Sequence, residues 1–112
     1  MRQIAIPLTL ALTLMLLVAT NLPAAGDVAA GKAMFAKKCS TCHGAAGEGK
    51  DAIAKMLKVE MKPLGSQEVQ AKSDSELAKV IKDGTGKMKR VADLSDKDIQ
   101  DLIAYMRTLA KK

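Results

Sequence analysis

Every thiol and imidazole in this chain of 112 residues lies between positions 39 and 43, as Cys39, Cys42 and His43 in the stretch KKCSTCHGAAG. The rest of the chain offers little with which to build a core: it has no Trp, one Phe (Phe35) and one Tyr (Tyr105). Small domains this poor in large apolar side chains usually depend on a disulfide, a metal or another staple. The Cys-x-x-Cys-His unit is where such a staple would have to act.

The first 26 residues read differently from the remainder. MRQ carries one positive charge, IAIPLTLALTLMLLVAT is an apolar run interrupted by Pro7, Thr9 and Thr13, and NLPAAGD brings small residues ahead of Asp27. A basic tip, an apolar middle and a small-residue exit describe a secretory signal peptide. The preferred cut is after Gly26, with Ala24 or Ala25 as alternatives. The run is short for a spanning helix, which needs about 20 apolar residues; an uncleaved anchor is the rival reading. The expected organisation is a leader over 1–26 and one domain over 27–112, periplasmic or secreted. Of 18 Lys and Arg residues Arg2 leaves with the leader, so 17 face 12 acidic residues and the formal charge is +5. Such a balance suits an acidic protein face or an anionic membrane. Scarce aromatics and the lack of a long basic block argue against nucleic acid.

Three stretches carry helical patterns, and none of useful length alternates like a strand, so the fold class is all-α. In DVAAGKAMFAKKCSTCH, Ala30, Ala33, Met34 and Cys39 fall near helical spacing and Asp27 can cap the start. Gly31 weakens that helix by up to about 1 kcal/mol relative to Ala, a cost offset if another helix crosses closely there. HGAAGEGKD then reads as a loop. In SDSELAKVIKDG, Ser73 and Glu76 form a capping box, Leu77, Val80 and Ile81 share a face, and Gly84 ends the helix. LSDKDIQDLIAYMRTLAKK opens on Ser95 with Asp96 and Asp98 in its first turn and closes on basic residues, in accord with the helix dipole. Its Ile99, Leu102, Ile103, Met106 and Leu109 make a buried stripe. A further helical turn is expected over Ala52 to Lys58.

Cys-x-x-Cys serves three chemistries. A redox disulfide between Cys39 and Cys42 usually accompanies a βαβ pattern, which is missing here. Zinc needs four ligands, and after Cys39, Cys42 and His43 the chain has no further Cys or His. Covalent haem needs Cys-x-x-Cys-His: on one helical turn the two sulfurs can bond the two vinyl groups of a porphyrin while His43 ligates the iron.

CSTCHGAAGEGK, followed by GTGKM and a terminal DIQDLIAYMRTL, resembles the small monohaem class I cytochromes c of bacterial type, over essentially residues 27 to 110. The resemblance implies a cytochrome c fold of three to four helices around one covalently attached haem, with the first and last helices crossing. It places Gly31 and Phe35 at that crossing, opposite Tyr105 and the Leu102 to Met106 face.

Iron held by His43 has a second axial position, and the soft candidates are Met34, Met56, Met61, Met88 and Met106. Met34 and Met106 have core spacing, and Met56 and Met61 sit where contact with core or haem edge is ordinary. Met88 lies in a Gly-rich loop and matches the family's ligand position, although Lys89 follows it where the family commonly has Pro. The family often supplies a Pro carbonyl about a dozen residues downstream of the histidine to orient its ring; here that position reads DAIAKM, and Pro63 comes later.

The expected function is single-electron transfer through haem c with His43/Met88 ligation, and no enzymatic activity. The expected partners are electron-donor and electron-acceptor proteins, membrane-bound respiratory or periplasmic redox enzymes among them, with no small-molecule substrate and a monomeric carrier. Lys37, Lys38, Lys50, Lys87, Lys89 and Arg90 flank the motif and the Met loop and could ring an exposed haem edge. Two other readings stand beside this one: a haem sensor whose Met88 is displaceable, and a haem-free thiol-disulfide protein.

Overall fold

The computed structural model describes residues 26–111, so the expected leader over 1–26, apart from its last residue Gly26, and Lys112 lie outside the described residues. Six helices follow in order: α1 (Val28–Lys38), α2 (Ser40–His43), α3 (Asp51–Leu57), α4 (Gln67–Gln70), α5 (Asp74–Asp83) and α6 (Asp96–Thr108). Among the described residues the only β pairing is an isolated bridge between Thr85 and Met88, so the all-α expectation is borne out.

α6 is the spine. Ser95 accepts from the Asp98 amide at 3.1 Å while the Asp98 carboxylate accepts from the Ser95 amide at 3.0 Å, a reciprocal box that satisfies two orphan donors. The expected stripe is buried at Ile99, Leu102, Ile103 and Met106, with Leu109 half-buried at the end. At α5 the box is only half made. Ser73 accepts from the Glu76 amide at 3.1 Å, but the exposed Glu76 side chain does not reach back.

The largest helix-to-helix interface joins α1 to α6, and α5 packs on α6 beside it. A Cβ at Gly31 would overlap the backbone carbonyl of Asp101, so the two backbones touch there as only glycine permits. That contact sets the rotation of α1. Gly31 and Phe35, four residues apart, face inward; of the expected face Met34 and Cys39 pack against the core, while Ala30 and Ala33 are exposed. One buried ring outweighs two alanines, since burying Phe contributes about 1.5–3 kcal/mol.

The first helical stretch is two helices rather than one. α1 ends at Cys39, whose backbone leaves helical geometry at φ −120°, and α2 restarts at Ser40. α3 spans the turn expected near Ala52 to Lys58, and Lys58 closes it in the left-handed region at φ +55°. α4 was not expected from the sequence, although Ser66 caps it by accepting from the Val69 amide at 3.4 Å.

Gln70 and Arg107 stitch this middle segment to α6. Gln70 Nε2 donates to the carbonyls of Leu64 at 2.9 Å and Met106 at 3.0 Å. Arg107 donates to the carbonyls of Gln70 at 2.9 Å and Lys72 at 2.7 Å, and pairs with Asp74 at 2.8 Å. Leu64 is buried in the core and Val69 packs against it, and these hydrogen bonds add to that packing.

Candidate haem-binding site

Cys39, Cys42 and His43 share one turn of backbone. The His43 amide donates to the Cys39 carbonyl at 3.0 Å and the Cys42 amide to the same carbonyl at 3.3 Å. The chain then reverses on Gly44, Gly47 and Gly49, all at positive φ (83°, 69° and 79°). It is fastened back onto the motif by Gly49 N to His43 O at 2.6 Å and Lys50 N to Cys42 O at 3.1 Å. Within the loop the Glu48 carboxylate accepts from the Ala46 amide at 2.9 Å. The backbone amides of Glu48 itself and of Ala46 hold its carboxylate below its usual range.

The two thiols differ in setting. Cys39 is half-buried against the core, and Cys42 is exposed; both are free. Burial pushes the Cys39 thiol up to about 11, which suppresses the thiolate that disulfide exchange requires. A thioether has no proton to lose, so the same burial costs it nothing.

His43 is half-buried, and burial lowers its pKa below the usual histidine range. The neutral ring is the form that ligates metals. Its Nδ1 is buried without a hydrogen-bond partner, a condition that costs about 1–3 kcal/mol. Neither Pro63 nor any carbonyl in the DAIAKM segment reaches it, so the expected orienting bond is not made. An unsatisfied, neutral imidazole next to two free thiols fits haem attachment better than a closed polar core.

Met88 stands on a separate device between α5 and α6. Thr85 and Met88 exchange both backbone bonds, at 2.9 and 2.8 Å, around Gly86 at φ +53° and Lys87, which stays out of the left-handed region. Glycine at the first central position with positive φ is the pattern of a type II′ hairpin turn. A Cβ at Gly84 would crowd the Met88 carbonyl at 2.6 Å, and Val91 N donates to Ile81 O at 2.9 Å. This loop is therefore pinned at both ends, and Met88 is half-buried. Of the other methionines, Met106 is core, Met34 packs against the core, and Met56 is 68 % exposed.

The aromatic pair behind the motif completes the setting. Phe35 lies one turn before Cys39, whose amide donates to its carbonyl at 2.9 Å, and the Tyr105 hydroxyl reaches the Ala45 carbonyl at 3.5 Å. The buried carboxylate of Asp101, which bonds the start of α1, was missed by sequence reasoning. Its signal is an acid one turn before Tyr105, on the flank of the buried stripe.

Residues 26–106 match the family described as cytochrome C oxidase, cbb3-type, subunit III. The chain is 32 % identical over 91 residues to cytochrome c-554(547) of Halothiobacillus neapolitanus, covering 76 % of this chain and 99 % of that one. It also resembles the solved structure of the KustC0563 c-type cytochrome, with a TM-score of 0.61 and 26 % identity, over 72 % of this chain and 98 % of the other. The motif, the helix crossing and these relatives together identify the chain as a member of the cytochrome c family represented by that cbb3-type subunit III domain, an electron carrier with covalently bound haem c.

Proposed function

We propose that Cys39 and Cys42 tether the haem, that His43 and Met88 are its axial ligands, and that the mature chain is a periplasmic monohaem shuttle between larger redox proteins. When bound, the haem supplies a one-electron ferric/ferrous couple. The observation that carries the assignment is the half-buried, neutral imidazole of His43, its Nδ1 buried and unpartnered, on the same turn as two free thiols.

Each side chain has a distinct task. Cys39, fixed by the end of α1 and half-buried, sets the depth of attachment, and exposed Cys42 closes the second link. His43 presents a neutral ring from a backbone fastened by Gly49. The thioether of Met88 is a soft ligand that favours the ferrous state and so raises the potential. The double-bonded hairpin that carries it resists withdrawal, which supports a closed electron-transfer site over a ligand-sensing one.

Charge supports docking beside these residues. The four ion pairs among the described residues use Lys62, Lys82, Lys97 and Arg107. Lys37, Lys38, Lys50, Lys87, Lys89 and Arg90 take part in none of these pairs and are all exposed. They bracket the Cys-x-x-Cys-His turn and the Met88 hairpin, where they can steer an acidic partner towards the site.

Visible spectra of the purified holoprotein in both oxidation states, with Met88→Ala beside it, test the assignment. The ferric far-red charge-transfer band of methionine ligation should be present and should disappear in the variant, which should also bind CO rapidly when reduced. A band that survives Met88→Ala assigns the ligand elsewhere.

A further inference from the structure

The start of α1 rests on a single carboxylate of α6. The backbone nitrogen of Asp27 donates to Oδ1 of Asp101 at 2.8 Å, and Lys97 Nζ meets Oδ2 at 2.9 Å. Asp101 is only 4 % exposed, whereas the Lys97 side chain that pairs with it is 74 % exposed. One residue earlier Gly26 presses on α6, so that a Cβ there would overlap the carbonyl of Gln100. Asp27 meanwhile caps its own helix, accepting from the Ala30 amide at 3.1 Å.

In the uncut chain the local charges do not balance. The carboxylates of Asp27 and Asp101, with Asp98 also acting on Lys97 through space, face the one ammonium of Lys97. A carboxylate so far removed from water is best served by cationic donors; the Asp27 amide gives it a hydrogen bond but no opposite charge.

We propose that export processing cuts the Gly26–Asp27 bond and that the new α-ammonium of Asp27 becomes the ionic partner of Asp101, clamping α1 to α6 only in the processed protein. The proposal rests on reading residues 1–26 as an export leader. The step is a peptidase-catalysed hydrolysis: water adds across the amide, Gly26 departs as a carboxylate, and the nitrogen of Asp27 takes up protons to become an ammonium. The position needs no rearrangement, because that nitrogen already lies on Oδ1. Departure of Gly26 also uncovers the Gln100 carbonyl, a second acceptor for a group with three N–H donors. A positive charge at a helix N-terminus is ordinarily unfavourable, but here Asp27 and Asp101 supply two negative charges beside it.

The sign of the pH dependence follows. Pairing raises the folded-state pKa of the α-amine above its ordinary value of about 7.7–8.0. Its contribution to stability is therefore complete below that range and is lost as pH rises through the folded value.

The experiment uses holoprotein exported from the full-length precursor. Intact mass and N-terminal sequencing should place the first residue at Asp27. After ¹³C-dimethylation, which keeps the charge, the α-amine should titrate at least about half a unit above its ordinary value, and Asp101→Asn should return it to that value. A second precursor, its leader altered so that the mature chain retains Gly26, should unfold several-fold more readily at neutral pH, and that difference should vanish in the alkaline range and in Asp101→Asn. A first residue other than Asp27, or an α-amine of ordinary titration, overturns the proposal while leaving export intact. An uncut chain overturns both.

Discussion

Phe35 of α1 and Tyr105 of α6 meet edge to face, their ring centroids 5.2 Å apart and their planes inclined at 60°. The pair lies behind the attachment motif and touches it from two sides, through the Phe35 carbonyl that receives the Cys39 amide and through the Tyr105 hydroxyl that reaches Ala45. What orders the haem-binding turn is therefore the α1–α6 crossing, and Gly31 determines how close that crossing is.

Gly31→Ala should destabilise the holoprotein although alanine is the better helix former. The added methyl would overlap the Asp101 carbonyl and sit 3.0 Å from the Tyr105 Cβ, so the helices must separate. Overpacking of this kind costs about 1–3 kcal/mol, more than the roughly 1 kcal/mol gained from propensity. Denaturant unfolding followed by circular dichroism measures the difference. A variant as stable as the wild type would show that the crossing is not limited by contact at this glycine.

Gln70→Ala should cost about 1–3 kcal/mol while leaving the visible spectrum unchanged. The substitution strands the half-buried carbonyl of Leu64 and takes one of two donors from that of Met106, which keeps the Leu109 amide at 3.1 Å. Gln70 is remote in sequence from the thiols, the imidazole and Met88, so chemical denaturation should move while the absorption bands stay. If the bands shift with stability, the middle segment also shapes the haem environment.

Much of this arrangement was legible in the sequence because its causes are local. The Ser95 cap, the stripe from Ile99 to Met106 and the spacing of Cys39, Cys42 and His43 are written in residues a few positions apart. The closeness of α1 to α6 was legible through Gly31, since a glycine inside a helix calls for a reason. Gln70 and Arg107 were not, because their partners lie far along the chain and polar surface residues give no sign of reaching inward. The face of α1 was only half legible: Met34 and Cys39 pack on the core as spaced, whereas Ala30 and Ala33 carry little rotational information and contact at Gly31 turned them outward. The acceptor for His43 Nδ1 could not be read from the sequence, and no bond to that atom is made.

Acid should remove part of the stability through Asp101. Its carboxyl is held below the usual carboxylate range first by the Lys97 ammonium and then by the Asp27 amide. A depressed folded-state pKa gives stability that is present above the unfolded value of about 3.9 and lost as pH falls through the folded value. Asp101→Asn should therefore be less stable near neutrality and should show a shallower acid limb. Melting temperatures between about pH 2 and 6 check this; parallel acid limbs for the two proteins would show that Asp101 is not linked to folding.

The unpaired basic residues around the Met88 hairpin make a kinetic prediction. Lys87 and Lys89 are exposed on either side of Met88 and belong to none of the four ion pairs. Reversing both to Glu changes the local charge by four units without touching a buried group. Stopped-flow oxidation by ferricyanide, a compact trianion, should slow by about three- to tenfold at low ionic strength, and the difference should shrink as salt screens the field. Oxidation by a cationic cobalt complex should move in the opposite direction, which separates a change of steering from a change of potential. A change of potential would alter both rates in the same sense and leave their salt dependence alone. Equal rates for wild type and variant with both oxidants would place electron exit on another face of the protein.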